Sequence, residues 1–479
     1  MGKNICLVTF SDSRPSTFSN EREDFLKKCH YDLKLFLEKQ GYTIVDPNQE
    51  LQTKRKNFGF DCLEGTKNLI KYLRNKEAEV IIIECNHWSE PQYPILMIKE
   101  LNIPVILYTT DSTAWAGAVG ISSLGSSLLE VYLNNSASKH VRVYDDKSKL
   151  LKYVNAFLAI SNMKRSSILL FGSSYCLFMP LLRDDYEFLK SFIIEDIIEI
   201  DQYSLVEKAK YIIKNQNTRI IKFLSWLKEN NAKLLYDGKM LSEDILKFQI
   251  ALYFAAKDIS SDYPNAIGIS LKCQPVLSEE LGITGCTIPT FMPFSNDSEG
   301  AKKIINTTCE GDVKGLLTSS ILNSINSDVP SLFGDIKYVG KDYVIISNCG
   351  GSSIFYCSNS NDAKKCFSEL TVSPQCQGKS GGAFSYDGLP GIVTMARLTR
   401  VNRKYIMQYS ITESIKVDKK IKDKIIWGKM WPHMILKLTS SRENFINIAG
   451  SNHYSITLED KSLELETVCS YLGIEVLRF

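Results

Sequence analysis

A short acidic segment is the part of this sequence with the clearest capacity for chemistry. It reads Cys309-Glu310-Gly311-Asp312, and it precedes apolar residues spaced as the buried face of a helix, namely Val313, Leu316, Leu317 and Ile321. This spacing predicts that Glu310 lies at a helix N-terminus, where free backbone N–H groups and the helix dipole stabilise an ionised carboxylate. Such a group can act as a ligand for a hard cation or as a general base.

A second carboxylate, Asp335, follows about twenty-five residues later. It ends the apolar run Val329-Pro330-Ser331-Leu332-Phe333-Gly334, which predicts a strand. A helix-start Glu and a strand-end Asp one βα unit apart can face one crevice, where a divalent cation could hold two neighbouring substrate oxygens. The same residues also suit plain helix capping and a turn, and spacing alone leaves both interpretations open.

Histidine is scarce in this sequence, with five residues far apart, so a metal site would depend mostly on carboxylates. The third candidate, His453, lies in the polar turn Gly450-Ser451-Asn452-His453-Tyr454-Ser455, just before a predicted strand. Spacing does not place this side chain near Glu310 or Asp335, and a His in a turn is commonly a surface residue.

Composition indicates a globular protein rather than a fibre, a tail or a coiled coil, because 44% of its 479 residues are hydrophobic and 23% are charged. The net charge of +3 gives no overall field that would attract nucleic acid or an anionic membrane. No apolar stretch of about 18 residues and no signal-peptide pattern is present, so we expect no membrane association and a cytoplasmic location. Thirteen scattered cysteines without a CxxC pair agree with a reducing compartment.

The periodicity of the chain predicts three domains. Alternating β-branched runs and amphipathic segments indicate a doubly wound, Rossmann- or flavodoxin-like open α/β domain over residues 1–160, and a second one over 161–338 that carries both acids. One long helix is expected over about 204–229. Residues 339–479 predict a β-rich, barrel-like domain with short strands, in which the Gly-rich stretch 377–382 is a loop rather than a phosphate-binding motif.

Short segments spread over most of the chain carry a family resemblance. In order, they are Arg14-Pro15, Trp88 in an aromatic turn after an apolar strand, Gly120 to Leu128, Lys272-Cys273-Gln274-Pro275, Gly285-Cys286, Cys309-Glu310-Gly311-Asp312, Leu332-Phe333-Gly334-Asp335, Thr394-Met395-Ala396-Arg397-Leu398 and Asn452-His453. Together they resemble the L-fucose isomerase and L-arabinose isomerase superfamily of aldose–ketose isomerases.

The resemblance implies a metal-dependent reaction. In that superfamily one Mn²⁺ is held by a Glu, an Asp and a distant His, and Glu310, Asp335 and His453 match those positions. Co²⁺ and Mg²⁺ stay alternatives for this chain, because oxygen-rich sites accept several hard divalent cations. The cation grips two vicinal oxygens of the opened sugar, while the two acids move a proton between C1 and C2 through a cis-enediol. Relatives form trimers or hexamers, so a homo-oligomer is expected.

Substrate contacts are also carried over from the resemblance. Arg14 and Trp88 match positions that reach the sugar, in related enzymes from an adjacent subunit, and Gln274 and Asn452 match polar contacts. Where many relatives have an additional His, this chain has Asn348-Cys349-Gly350, which favours the fucose-type ligand set.

The resulting prediction is an isomerase for a small-molecule sugar, with no nucleic-acid partner. One alternative is a non-catalytic sugar-binding or regulatory protein of the same fold, which would have no need to bring His453 to the two acids. Another is a paralogue that isomerises a modified hexose, for example a sulfonated or otherwise charged one.

Overall fold

The computed structural model describes residues 3–51, 56–131, 140–174, 176–326 and 329–479. The chain forms two compact units. Unit 1 comprises residues 1–161 and 466–473, and unit 2 comprises residues 162–465 and 474–479. The boundary after residue 161 lies within helix α6 (Lys147–Lys164), and the boundary after residue 465 lies within helix α16 (Ser462–Leu472).

Unit 1 is built on a five-stranded parallel sheet in the order β2-β1-β3-β4-β5. Its strands are β1 (Asn4–Thr9), β2 (Thr43–Val45), β3 (Val80–Glu84), β4 (Val105–Thr109) and β5 (Val141–Tyr144). Its connecting helices are α1 (Asn20–Lys39), α2 (Pro47–Leu51), α3 (Leu63–Arg74), α4 (Gln92–Leu101) and α5 (Gly117–Glu130). Strands β3 and β4 are buried along their whole length, which explains their continuous apolar sequence, because helices cover both faces of a parallel sheet.

A buried charged cluster lies inside unit 1. Nδ1 of His30 is 2.6 Å from Oε2 of Glu84, and Nε2 of His30 is 3.1 Å from Oδ1 of Asp46. Burial alone would lower the pKa of His30, but hydrogen bonds and charge from the two carboxylates outweigh it and raise the pKa to about 9. His30 is therefore a buried cation that ties α1 to β3 and to the turn after β2.

Unit 2 begins with a four-stranded parallel sheet in the order β12-β9-β6-β7. The strands are β6 (Ser167–Phe171), β7 (Asp196–Ile200), β9 (Ala266–Leu271) and β12 (Asn306–Cys309). The accompanying helices are α7 (Tyr186–Lys190), α8 (Gln202–Asn215), α9 (Asn217–Glu229), α10 (Glu243–Ser261), α11 (Thr287–Phe291) and α12 (Val313–Ile325). A small sheet of β8 (Lys233–Leu234), β15 (Thr371–Pro374) and β16 (Gly382–Ser385) and the hairpin of β10 (Asn296–Asp297) and β11 (Gly300–Ala301) complete this region.

The single helix predicted over 204–229 is wrong, because α8 and α9 are separate. Gln216 has φ −134° and ψ 31°, which breaks the helical backbone between them. Gln216 stands between two asparagines, Asn215 and Asn217. Asparagine favours helix ends over helix interiors, because its short amide competes for the backbone hydrogen bonds.

The C-terminal part of unit 2 is rich in β-structure. Its strands are β13 (Leu332–Val339), β14 (Tyr343–Ser347), β17 (Gly391–Val401), β18 (Lys404–Ile415), β19 (His433–Lys437), β20 (His453–Leu458) and β21 (Glu475–Arg478), with helices α13 (Ala363–Phe367), α14 (Lys419–Lys422) and α15 (Arg442–Ile448) between them. Pairing runs β17-β20-β13-β14-β19-β18 and returns from β18 to β17, which closes a ring of strands. The predicted mixed α/β fold with parallel sheets and a β-rich C-terminal region is confirmed.

Candidate active site

Glu310 lies in the turn that joins β12 to α12. Both Glu310 and Gly311 have left-handed backbone conformations, with φ +65° and +67°. A Cβ atom at Gly311 would stand 2.5 Å from the carbonyl oxygen of Ser173, so a side chain does not fit there. Glu310, predicted to lie at the helix N-terminus, stands two residues before the N-cap of α12. Asp312 is the N-cap and accepts a 2.9 Å hydrogen bond from the backbone N–H of Gly315.

The sequence predicted Asp335 at the end of a strand. In the structure it lies in the middle of β13. The strand continues past it because residues up to Val339 pair with β14. On its other side β13 pairs with β20, where Asp335 stands directly opposite His453. Oδ1 of Asp335 also accepts a 2.8 Å hydrogen bond from the side-chain amide of Asn452.

His453 is a buried residue at the start of β20, and it meets both predicted acids. Its Nε2 atom is 3.5 Å from Oε2 of Glu310 and 3.3 Å from Oδ1 of Asp335. Strand pairing supplies the neighbour Asp335, while α12 packs against β20 and so brings the turn of Glu310 to the same place. Three residues far apart in sequence therefore converge on one point.

A second, fully buried carboxylate holds the opposite side of the imidazole. Nδ1 of His453 is 2.8 Å from Oδ2 of Asp312. The guanidinium of Arg397 on β17 binds both oxygens of Asp312, at 2.5 and 3.1 Å. Burial opposes ionisation, yet the charge of Arg397 and the bond from His453 hold the pKa of Asp312 well below its usual range. Because an ionised carboxylate only accepts hydrogen bonds, Nδ1 of His453 carries a hydrogen and Nε2 faces the two acids.

The electrostatics of the cluster favour a cation. Burial raises the pKa of Glu310, and the nearby carboxylates of Asp335 and Asp312 raise it further against the opposing charge of His453. Burial would lower the pKa of His453, but Asp335 and Asp312 outweigh burial and raise that pKa well above its ordinary value. The cluster therefore concentrates negative charge around one imidazole.

Two atoms at the centre of the cluster lack hydrogen-bond partners. Oε2 of Glu310 and Nε2 of His453 are both buried, and neither has a hydrogen bond within the described residues. Buried polar atoms are usually satisfied, so such a pair marks a place where a ligand completes the bonding. In the described ranges, no group of three or more His, Cys, Asp and Glu side chains is close enough together to hold a metal ion as the side chains stand, so the metal role of these residues stays a prediction.

A cavity of about 550 Å³ opens beside the acids and includes Glu310 and Asp335 in its wall. The remaining wall combines aromatic and polar side chains, among them Lys337, Tyr343, Gln377, Lys424, Trp427 and Trp431. This volume is within the range of small-molecule sites. Buried acids at the wall of a cavity, backed by a fixed His, can bind a polar substrate and exchange protons with it.

Comparison with known proteins gives a match to a family model and to named relatives. Residues 346–479 match the family model "L-fucose isomerase, C-terminal domain". Over 373 residues, 76% of this chain and 76% of the relative, the sequence is 21% identical to "Sulfoquinovose isomerase" of Priestia aryabhattai. The same identity and coverage hold for "Sulfoquinovose isomerase" of Priestia megaterium (strain ATCC 12872 / QMB1551). The C-terminal match and the two relatives together support the fucose isomerase-like superfamily for this chain.

The superfamily predicted from the sequence is thus confirmed, and we class this fucose isomerase-like chain as an isomerase. The other predicted substrate residues lie in two places. In unit 1 the guanidinium of Arg14 stacks 4.8 Å from the ring of Trp88 and forms a 2.6 Å ion pair with Asp12. In unit 2, Nε2 of Gln274 donates a 2.6 Å hydrogen bond to Gln377, which lines the cavity. Their contact with a sugar stays a prediction.

Sequence reasoning missed a group of residues on the far wall of the cavity. Nζ of Lys337 lies 4.7 Å from the ring centre of Trp431 and donates to the carbonyl of Gly428 at 3.0 Å and to Nε2 of His433 at 3.1 Å. Burial and the charge of Lys337 lower the pKa of His433 to about 3, so this His is neutral and accepts the bond. Only the separation of Lys337 from Asp335, two residues along one strand, could have pointed to this position.

None of the helices within the described ranges is both long and apolar enough to cross a membrane.

Proposed function

We propose that this fucose isomerase-like chain is a divalent-cation-dependent aldose–ketose isomerase that acts on a sugar. The observation that carries the proposal is the convergence of Glu310, Asp335 and His453 beside a cavity of about 550 Å³. The relatives are named isomerases of a sugar derivative, which supports the same class of substrate here.

The residues present fit a hard or borderline divalent cation such as Mn²⁺, with Co²⁺ or Mg²⁺ as substitutes. Two carboxylates and one imidazole are suitable donors, and two of the facing atoms, Oε2 of Glu310 and Nε2 of His453, lack hydrogen-bond partners. The separations of 3.3 and 3.5 Å between Nε2 and the acid oxygens are close to the roughly 3 Å between adjacent ligand atoms around a small divalent cation. Glu310, Asp335 and His453 would hold the ion. When bound, it supplies a Lewis acid that polarises neighbouring carbonyl and hydroxyl oxygens of the sugar.

The chain's own acids move the protons. In the aldose-to-ketose direction, one of Glu310 and Asp335 removes the proton from C2 of the opened sugar, giving an enediol. The other returns a proton to C1, while a proton moves from O2 to O1. Burial raises the pKa of Glu310, which brings its basicity closer to what proton abstraction near neutral pH requires.

Asp312 and Arg397 act as positioning residues. The hydrogen bond from Nδ1 of His453 to Asp312 fixes the ring so that Nε2 faces Glu310 and Asp335. The bidentate contact of Arg397 keeps Asp312 ionised in a fully buried position. Neither residue lines the cavity.

The alternative of a non-catalytic sugar-binding protein gives no reason for His453 to meet the two acids. Their convergence therefore favours the isomerase. The three-domain division, the homo-oligomer, the cytoplasmic location and the sugar contacts of Arg14, Trp88, Gln274 and Asn452 stay predictions that accompany this proposal.

The test is direct conversion of sugars by the full chain. Purified protein with added Mn²⁺ is incubated with a panel of neutral and anionic aldoses, and the products are read by ¹H NMR. We expect ketose to form from at least one aldose, and Glu310→Gln to abolish the conversion. Asp297→Asn is the matched control, since Asp297 is another buried carboxylate of unit 2 and pairs with Lys257 away from the cavity. Conversion by Glu310→Gln at the wild-type rate would overturn the proposal.

A further inference from the structure

A second cavity of unit 2, of about 210 Å³, shares no wall residue with the candidate active site. It lies at the end of α10 and beside the residues that join β11 to β12. Its wall includes three lysines, Lys257, Lys302 and Lys303. The isomerisation chemistry uses none of them, so this cavity calls for a separate explanation.

Lys302, the first residue after β11, is half-buried, and its Nζ atom binds two backbone carbonyl groups. Nζ donates a 2.8 Å hydrogen bond to the carbonyl of Met292 and a second hydrogen bond to the carbonyl of Phe294. It forms no ion pair with a carboxylate within the described residues. A protonated lysine has three N–H donors, whereas a neutral amine has two N–H donors and one lone pair. The two carbonyls therefore satisfy both donors of the neutral amine and leave its lone pair free.

The charged groups around Lys302 do not hold it in the protonated form. Lys257 on α10 is paired with Asp297 at 2.6 Å and with Glu299 at 2.8 Å, and Lys303 is exposed and donates to carbonyl oxygens. Burial lowers the pKa of Lys302 to about 7, while the charge of Asp297 opposes this shift and that of Lys257 adds to it. About half of the Lys302 side chains are then neutral at pH 7, against roughly one in a few thousand for an ordinary lysine.

A neutral amine at the wall of a cavity can act as a nucleophile, and desolvated lysines are used in this way to bind carbonyl compounds. Tyr263, Met292 and Ile305 supply apolar surface around Lys302. Among the described residues, no acidic side chain belongs to this wall. The volume is below the roughly 300–1,000 Å³ of typical small-molecule sites. The cavity therefore suits an uncharged reagent of a few carbon atoms.

We infer that Lys302 is a site of covalent modification, at which a small aldehyde binds as a Schiff base. The lone pair of Nζ attacks the carbonyl carbon, and a C–N bond forms. The carbonyl oxygen takes one proton from the amine and one from solvent and leaves as water, so the product is a protonated imine with one N–H. This N–H can still donate to the carbonyl of Met292 or Phe294. The step needs no oxidant or reductant, and it uses no residue of the proposed isomerase site.

The test traps the adduct on the full chain. The protein is incubated with propanal at pH 7, the imine is reduced with cyanoborohydride, and peptide mass spectrometry measures the fraction of each lysine that carries a propyl group. We expect Lys302 to be labelled about tenfold or more faster than Lys416, an exposed lysine after β18 and outside the cavity wall. This ratio should fall at pH 8.5, because the neutral fraction of an ordinary lysine grows about thirtyfold and that of Lys302 only about twofold.

A second comparison tests whether the cavity admits the aldehyde. Biphenyl-4-carbaldehyde is too large for the cavity, so it should label Lys416 but not Lys302. Ser261 is an exposed residue of the cavity wall, and Ser261→Trp should slow the labelling of Lys302 by propanal several-fold and leave that of Lys416 unchanged. Ser191→Trp is the matched control, because Ser191 is also an exposed serine at a helix end that donates a 2.6 Å hydrogen bond to the carbonyl three residues earlier.

Equal labelling of Lys302 and Lys416 by propanal at pH 7 overturns the inference. Preferential labelling of Lys302 that the biphenyl aldehyde shares, or that Ser261→Trp leaves unchanged, also overturns it, because the amine would then react without the cavity. Conversion of sugars reports on the acids and His453 alone, so this inference and the isomerase proposal fail independently.

Discussion

His453 donates a 2.8 Å hydrogen bond from Nδ1 to Oδ2 of Asp312, although 141 residues separate them in sequence. Asp312 caps helix α12, and His453 begins strand β20, so this bond links the helix to the β-rich region. It also sets the direction of Nε2, which faces Glu310 and Asp335. The cluster thus depends on a carboxylate that touches neither the cavity nor the proposed cation.

Replacing Asp312 by Asn tests its positioning role. The amide cannot hold the ring of His453 as an ionised carboxylate does, so we expect Mn²⁺ affinity to fall about 10- to 100-fold, as is typical for such outer partners. Calorimetric titration of Mn²⁺ measures this change. Asp297→Asn removes another buried, paired carboxylate and should leave Mn²⁺ affinity unchanged. Equal Mn²⁺ affinity in the wild type and Asp312→Asn would show that the bond has no such role.

Arg397 should matter mainly for stability. Its side chain and that of Asp312 are both essentially inaccessible to solvent. Arg397→Met leaves the buried carboxylate of Asp312 with His453 as its remaining positive partner and should lower the free energy of unfolding by about 3 kcal/mol. In the double variant with Asp312→Asn, part of this loss should be recovered, because the buried carboxylate that Arg397 compensates is no longer present. Urea-induced unfolding of the wild type, the two single variants and the double variant measures the four free energies of this double-mutant cycle. Strictly additive losses would contradict a direct coupling between the two residues.

Gly311 is expected to be essential for the turn that carries Glu310. Gly311→Ala puts a Cβ atom 2.5 Å from the carbonyl oxygen of Ser173 and keeps a φ of +67°, so both strain and a steric clash result. Gly238→Ala is the matched control, since Gly238 has φ +72° with no atom within 4 Å of the added Cβ. The control should lose about 1 kcal/mol of stability, and Gly311→Ala should lose clearly more and convert sugar more slowly. Similar losses from both substitutions would mean that the contact with Ser173 is unimportant.

The cation at His30 makes the stability of the chain depend on pH. The pKa of His30 is raised from 6.5 to about 9 by Glu84 and Asp46 against the effect of burial. The stabilisation is fully present below pH 6.5 and is lost as the pH rises toward 9, with a total on the order of 3 kcal/mol. Urea-induced unfolding at pH 6 and pH 9.5 measures it. The variant His30→Gln should be less stable at pH 6 and should vary less between the two pH values. An unchanged dependence in that variant would contradict a charged His30.

The sequence was sufficient to predict those features of the fold that depend on a local pattern of residues. Continuous apolar runs such as Val80–Glu84 and Val105–Thr109 predicted buried parallel strands, and the motif order pointed to the correct superfamily. Asp335 was placed at a strand end because the apolar run stops there, yet β13 continues to Val339. Pairing with β14 supports the later residues, and this contact is not visible in the local sequence.

The sequence predicted the candidate site only in part, because contacts between strands are not visible in the local sequence. From spacing alone His453 could not be placed, because its position follows from the pairing of β20 with β13. Glu310 rather than Asp312 was placed at the helix N-terminus, because helical periodicity does not reveal the two left-handed residues before the helix. Lys337 was missed because the sequence was taken to end the strand at Asp335, whereas β13 continues to Val339.

Calorimetric titration of Mn²⁺ into the full chain tests most directly whether Glu310, Asp335 and His453 form one cation site. The comparison is with the triple variant Glu310→Gln, Asp335→Asn and His453→Ala, checked for folding by circular dichroism. We predict about one high-affinity Mn²⁺ per wild-type chain, as expected for a single Lewis-acid site, and no comparable binding by the triple variant. Absence of Mn²⁺ binding in the wild type, or equal binding by both proteins, would contradict the account.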